Sequence, residues 1–506
     1  MRFVLLNQFY PPDVLPTGVV LKAVAGELVA RGHQVTVISG QLSGGSCHWE
    51  RGAPAPPRVP PGAPPGEALE ESSAVNHPGK GEEENGENLE TGKSENGAGG
   101  GKRVWVVRLW VPGWGRRTSA LGKVLSYASY YGGVAAWLLR RRQRADVILA
   151  LTSPPYLSLL SRMGAWWHGG RHAHWVMDLY PDVMVAHGML RTGGWAERVL
   201  AGLARWGMSG ERAGRVITLG PDMADRLNHN VPQGKKADWV PLWGTAVGAG
   251  EDGAVAALRE HRGWGLEEVV FLYSGNMGLG HRFTEVLQAM PQLAAVEPDP
   301  RVRLAFYGEG KRKREVEEAV GSGQSSVVRE DRGAHAPPGI PPGASAGCQL
   351  HGQPPSDRRK GAIRVQADIT SATVCPASDL RIEVHGYVPS SELAVHLRTG
   401  DVHLASLDPA WDGMMVPSKL QGIFAAGRPV LFTGSRTCSI GRWILESGGG
   451  WVCEPGDIAG HVQAMQEALD PVERTRRGEA AHQYASKHFD RATNVTRIAD
   501  WLESRE

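Results

Sequence analysis

Gly-Met-Met-Val-Pro-Ser-Lys-Leu-Gln-Gly-Ile-Phe-Ala-Ala-Gly-Arg-Pro-Val, residues 413 to 430, reads as a loop that enters a helix, stops at a glycine and starts a new strand. Pro417 suits a first helical turn, Ser418 offers a hydroxyl, and Lys419 sets a cation beside the backbone N–H groups that a helix start leaves unpaired. An anionic ligand would fit there, although Pro-Ser-Lys also opens ordinary helices. What distinguishes the two readings is the company the segment keeps.

Outward from it, apolar strands alternate with amphipathic helices. Arg2 to Leu6 is predicted as a strand, Thr17 to Arg31 as a helix with Val20, Val24 and Leu28 on one face, and Gln34 to Ile38 as a strand. Val104 to Trp110, Asp146 to Leu151, His172 to Asp178 and Arg215 to Leu219 continue the series. A second series runs through Val269 to Ser274, Val302 to Tyr307, Arg381 to Val388, Asp401 to Leu407, Pro429 to Thr433 and Gly450 to Cys453. Strands apolar on both faces and separated by helices imply parallel sheets covered on both sides. The expected fold is α/β, with two Rossmann-like doubly wound domains facing a cleft. Residues 1–245 form the first and 246–485 the second; 486–506 read as a C-terminal helix packing back on the N-terminal domain.

Two stretches break the alternation. Residues from about 44 to 102 are crowded with Gly, Pro, Glu, Ser and Asn, and those from about 321 to 380 contain Ala-Pro-Pro-Gly-Ile-Pro-Pro-Gly with one weak apolar patch near Ile363 to Val374. Both have the composition of disordered insertions in surface loops, which lengthen at small entropic cost. The 506-residue length suits two domains with such additions. A net charge of +2 argues against nucleic acid as a partner. Five cysteines (Cys47, Cys348, Cys375, Cys438 and Cys453) show neither a Cys-x-x-Cys pair nor zinc-like spacing, which fits a reducing cytoplasm. Met1 to Leu6 is too short an apolar run for a signal-peptide core.

In open parallel sheets ligands lie at the carboxyl ends of the strands. The first end, Asn7 to Asp13 followed by Pro16-Thr17-Gly18, is not the Gly-x-Gly-x-x-Gly of a dinucleotide site, so an NAD or FAD cofactor is not expected. Gly18 either lets a substrate approach the backbone or is a plain turn glycine. In the second domain, Tyr273-Ser274-Gly275-Asn276-Met277-Gly278-Leu279-Gly280-His281-Arg282 places glycine amides beside two cation donors, His281 and Arg282. Gly308, Glu309 and Gly310 end the next strand in the same way.

In order and spacing these segments resemble the GT-B glycosyltransferases of the retaining family 4 type, and within them the colanic acid and O-antigen biosynthesis enzymes. The resemblance covers essentially everything outside the insertions. It is carried by residues 7 to 13, Asp-Leu-Tyr-Pro-Asp (178 to 182), Tyr-Ser-Gly-Asn-Met-Gly (273 to 278), Phe-Tyr-Gly-Glu-Gly (306 to 310), His-Gly-Tyr-Val-Pro (385 to 389), Val-Pro-Ser-Lys-Leu (416 to 420) and Ala-Ala-Gly-Arg-Pro-Val (425 to 430). It implies a sugar transferred from a nucleotide donor, UDP favoured over GDP, to a glycan or polyprenyl-pyrophosphate-linked acceptor, with retention. Neither a cofactor nor a metal is expected, since the sequence contains no Asp-x-Asp.

By that resemblance Asp178, Lys419 and His281 are the catalytic residues. Donor binding falls to Gly275, Asn276, Gly278, Gly280, Arg282, Gly308, Glu309, Tyr387, Val388, Pro417, Ser418 and Gln421; acceptor binding falls to Tyr10, Thr17, Gly18 and Asp182. His281 also reads as a helix-start surface residue, and Asp178 as a helix cap. Asn276 and His281 stand where many relatives have Arg and Lys, Met414 and Gly422 where they have two glutamates, and Met177 where they have histidine. A binding protein without catalysis, or a sugar-nucleotide epimerase, is therefore the alternative. Finally, Arg116 to Arg144 holds an aromatic run of about 16 residues between basic clusters, too short to span a bilayer; it reads either as a helix lying on an anionic membrane or as a packed domain helix with a solvated basic end.

Overall fold

The computed structural model describes residues 1–11, 15–40, 104–111, 120–140, 144–209, 215–230, 236–244, 252–296, 301–321, 381–389 and 391–504. Both segments read as insertions lie outside this set, apart from Gly321, and so do Arg116, Arg117, Arg141 and Arg142.

The first sheet contains β1 (Arg2–Leu6), β2 (Gln34–Gly40), β3 (Val104–Leu109), β4 (Val147–Ala150), β5 (Arg171–Trp175), β6 (Val216–Thr218) and the two-residue edge strand β7 (Asp238–Trp239). Its helices are α1 (Pro16–Ala30), α2 (Ala120–Arg140), α3 (Leu157–His168), α4 (Asp182–Ala186), α5 (Trp195–Met208) and α6 (Pro221–Asn230). In the second domain, α7 (Asp252–His261) precedes β8 (Val269–Ser274), α8 (Thr284–Val296), β9 (Val302–Tyr307) and α9 (Lys313–Gly321). The chain continues through β10 (Arg381–His385), α10 (Leu393–Thr399), β11 (Val402–Ser406), α11 (Lys419–Ala425), β12 (Val430–Thr433), α12 (Ser439–Ser447) and β13 (Gly450–Cys453). Three helices close it: α13 (Ile458–Glu467), α14 (Pro471–His488) and α15 (Arg491–Glu503).

The seven strands run in the order β3-β2-β1-β4-β5-β6-β7 and the six in the order β10-β9-β8-β11-β12-β13, parallel at every pairing. These are two Rossmann-like domains, each with helices on both faces. Strand order reverses between β1 and β4, and between β8 and β11. A crevice for ligands opens outside the carboxyl ends of strands at such switch points.

The domains are fastened together at several places. Leu179 N donates to Met414 O at 2.8 Å, and Asp178 and Met415 form an isolated antiparallel bridge. Asp222 on α6 accepts from the backbone and hydroxyl of Ser439 at the start of α12. Residues of both domains, including Leu179, Trp411, Met414 and Phe424, share one apolar core. The last helix, α15, lies on α1: Arg31 donates to Asp500 at 2.6 Å and to Glu503 at 3.0 Å, and Ile498, Trp501 and Leu502 are buried.

Two predicted strands run three residues past the point where the structure ends them. That starting near His172 ends at Trp175, because the chain leaves β6 and crosses to meet Met415. That starting at Arg381 ends at His385, which puts Tyr387 and Val388 in a loop. The aromatic run within Arg116 to Arg144 is α2. Tyr130 on it is wholly buried and donates to Ile38 O at 2.7 Å, so this tyrosine serves the core and not a lipid surface. No described helix is long and apolar enough to cross a membrane.

Candidate functional site

The loop leaving β8 and the end of β9 lie backbone against backbone. Gly275 (φ 130°), Gly308 (φ 144°) and Gly310 (φ 148°) adopt conformations that side chains rarely tolerate. A Cβ on Gly308 would sit 2.0 Å from Gly275 O, and one on Gly310 would sit 2.3 Å from Met277 O. Two of these glycines are thus required by the chain's own close packing. Met277 N donates to Glu309 O at 2.8 Å and completes the clasp. Gly280 packs on the Trp411 ring, with 3.2 Å available to a Cβ, and Gly278 lies beside the Asn276 amide.

Lys419 reaches this clasp from α11. Its Nζ donates to the Tyr273 hydroxyl, lies 3.3 Å from Asn276 O, and would be 3.3 Å from a Cβ on Gly275. Tyr273 OH in turn donates to Asn276 O at 2.7 Å. No ion pair to Lys419 occurs among the described residues, and burial pushes its pKa well below the usual lysine range. A cation kept in place without a counter-ion is suited to receive an anion. Ser418, the exposed residue before it, makes no capping bond with its hydroxyl, and Pro417 is buried behind it.

Three donor-side expectations need correction. His281 is buried and its Nδ1 is 2.7 Å from Ser406 O, with the neighbouring Lys419 adding to the burial that pushes its pKa down to about 3. It is therefore a neutral ring and not a cation donor. Its Nδ1–H meets the Ser406 carbonyl, which leaves Nε2 as an acceptor. Arg282 is already bound by Glu285 at 2.5 Å and by Asp408 at 3.1 Å, so its charge is matched within the domain. Gln421 is 1% exposed and has a buried Oε1 without a partner, so it presents no surface to a ribose.

Of the remaining donor-side residues, Asn276 is exposed at the loop tip. Glu309 points its carboxylate at Lys313, 2.7 Å away, and accepts on its backbone from the exposed Tyr387 hydroxyl at 3.4 Å. Val388 packs beneath, on the cluster around Trp264.

On the N-terminal side, Asp178 is enclosed by protein, and burial raises its pKa to about 6. It lines a cavity of about 20 Å³, room for one water, together with Thr152, Tyr156, His174 and Tyr180. It does not cap α4, whose preceding residue is Pro181. The other acceptor-side expectations fare less well. A Cβ on Gly18 would meet the Phe9 and Tyr10 backbone at 3.1–3.2 Å, so the chain's own turn occupies the space offered to a substrate. Tyr10 is 6% exposed, with Arg108 over its ring, and Thr17 is bonded by Asn7 Nδ2 at 3.3 Å. Asp182 is held by Arg226 at 2.6 Å.

Two contributions went unread in the sequence. Tyr273 orients Lys419, and Ser406 at the end of β11 anchors the loop through both its carbonyl and its hydroxyl, the latter accepting from Arg282 N at 3.0 Å. The position of each at a strand end was the available signal.

No family model matches the chain. It is 24% identical over 337 residues to the probable glycosyltransferase WbjE of Pseudomonas aeruginosa, covering 66% of this chain and 68% of that protein. Among solved structures it is similar to WaaG, a glycosyltransferase involved in lipopolysaccharide biosynthesis (TM-score 0.57, 14% identity, 100% of both chains). It is also similar to HepE of Anabaena in complex with UDP (TM-score 0.55, 11% identity, 99% of both chains). These similarities establish the GT-B fold.

Proposed function

We propose that this chain is a retaining, metal-independent glycosyltransferase of the family 4 type, close to the colanic acid and O-antigen enzymes, that uses a UDP-sugar. The observation that carries the reading is the Lys419 amine, without an ion pair among the described residues, held against Gly275 at the switch point of the second sheet. A nucleotide diphosphate supplies the missing anion, and negative charge grows on it as the sugar leaves. WbjE's description as a probable glycosyltransferase, and the solved complexes of HepE with UDP and with UDP and glucose, support the assignment.

In this reading Lys419, Ser418 and Asn276 hold the diphosphate. The bond from the anomeric carbon to the phosphate oxygen breaks while that carbon gains an acceptor oxygen on the same face. The acceptor proton leaves with the diphosphate. Asp178, across the cleft, faces the positive charge that develops on the sugar. The acceptor is a glycan or a polyprenyl-pyrophosphate-linked glycan, met at the inner face of a membrane. Met414 and Gly422, in place of two family glutamates, favour the rival reading, a protein that binds the nucleotide without turnover.

One panel separates them: nucleotide release from several UDP- and GDP-sugars, with and without a membrane extract as acceptor source. Acceptor-dependent release is expected. Binding without release would establish the non-catalytic reading, and a changed sugar without release an epimerase.

A further inference from the structure

Helices α3 and α5 turn two apolar stripes toward water. On α3, Met163, Trp166 and Trp167 recur at the i, i+3, i+4 spacing of one face, with Trp166 71% and Trp167 58% exposed. On α5, Trp195, Val199 and Trp206 share another face, and Trp195 is 80% exposed. The helices pack on each other: the Arg162 guanidinium of α3 lies 4.2 Å from the centre of the Trp206 ring, and Gly207 lies against Ser158. The stripes are therefore parts of one surface. Several indoles on one side of a domain are a costly use of the largest apolar side chain unless something covers them.

Charge says what covers them. Across α3, α5 and the turn leading into α5 there are four arginines, Arg162, Arg191, Arg198 and Arg205, against one acid, Glu197. That acid accepts from Gly193 N at 3.2 Å, at the start of its own helix. Arg191, Arg198 and Arg205 are exposed, and no ion pair to them occurs among the described residues. The whole chain of 506 residues carries only +2, whereas this surface has four arginines against one acid.

We propose that the α3–α5 surface docks on an anionic lipid bilayer, its tryptophans entering the boundary between headgroups and acyl chains and its arginines meeting lipid phosphates. Indole and guanidinium side by side suit that boundary, where one end of a side chain is in hydrocarbon and the other in water. A symmetric pairing of two copies would set these arginines against themselves. The surface begins next to the cavity of Asp178, since α3 starts immediately after Tyr156. Docking there brings the cleft to any acceptor carried on a lipid, and in that respect alone the inference rests on the proposed transferase.

Flotation of the full chain with phosphatidylcholine vesicles, with and without phosphatidylglycerol, is the test, run at low and high salt. The wild type is expected to float with the anionic vesicles and to be released by salt. A variant combining Trp166→Ala, Trp167→Ala and Trp195→Ala is expected to lose about tenfold or more in partitioning. Its melting temperature and its affinity for UDP stay unchanged, since all three side chains are exposed and away from Lys419. Arg198→Glu with Arg205→Glu is expected to abolish the salt-sensitive part. A wild type that stays unbound, or a triple variant that floats like it, would overturn the proposal. So would a dimer of the wild type, seen by light scattering, that the triple variant breaks. Absence of UDP binding would refute the donor reading and leave this one standing.

Discussion

Lys419 sits between Tyr273 and Gly275 with no carboxylate paired to it among the described residues, which makes it sensitive to every neighbour. Lys419→Ala is expected to weaken UDP binding by roughly tenfold or more in calorimetry, and to lower turnover about a hundredfold, near 3 kcal/mol of barrier. Unchanged affinity would remove the residue from the site. The depressed pKa adds a pH dependence whose sign can be worked out. Burial lowers the pKa of the free lysine and a bound diphosphate raises it again, so binding favours the protonated side chain. Affinity should then fall as pH rises from the free to the liganded pKa, and Lys419→Arg should flatten that slope. Gly275→Ala is a sharper probe, because its Cβ would lie 2.6 Å from Lys419 Cε at a backbone angle that alanine resists. It should lose UDP binding with little change in circular dichroism. The residue scale also shows where type and position part company. His281 and Arg282 look like anion ligands in the chain, but Ser406 makes the first a neutral acceptor and two carboxylates occupy the second.

At the scale of elements, the second sheet depends on a buried charge set at one edge. Arg303 on β9 lies between Glu268, 2.9 Å away, and Glu383 on β10, which also accepts from Trp264 Nε1 at 3.1 Å. Burial alone would raise the Glu383 carboxyl, but His385, Arg303 and Trp264 together hold it below the usual range. Arg303→Met should cost about 3 kcal/mol in chemical denaturation, because it leaves Glu268 with Arg381 as its one remaining cation and Glu383 with His385 and Trp264. The elements themselves were largely legible. Val269 to Ser274, Val302 to Tyr307 and Gly450 to Cys453 form the predicted strands without change, since an apolar run bounded by turn residues has few other places to go. β7 was missed because two residues carry no period. α2 shows the limit of composition: its aromatic run suggested a lipid face, yet Tyr130 closes the core, while α3 and α5 each carry two exposed tryptophans.

For the whole molecule, buried histidines dominate the response to acid. Burial is the first cause lowering His172, His174 and His403 to about 4, and His281 and His396 to about 3. Unfolded histidines bind protons below about 6.5, so stability should drop as pH falls from there toward 4. Asp178 and Asp412, raised to about 6 by burial, act in the opposite direction. Burial lowers His187 and His488 as well, so among the described residues the histidines outnumber the two aspartates, and urea midpoints are expected to be lower at pH 5 than at pH 7. The final helix binds the ends of the chain together. Trp501, buried and donating to Asp238 at 2.9 Å, should cost about 3–5 kcal/mol when replaced by alanine, read from a denaturant titration.

The order of apolar runs and glycines by itself determined the two parallel sheets and the strand ends where a ligand belongs, because period and turn chemistry are local properties of the chain. Which side chains remain free at those ends was decided only in three dimensions. Among the described residues Lys419 has no counter-ion, Arg282 has two, and Asp178 faces the C-terminal domain through Met415. Each of these turns on partners more than a hundred residues away, or on a carboxylate that only folding brings within reach. Charge and desolvation act through space, and a sequence records only distance along the chain.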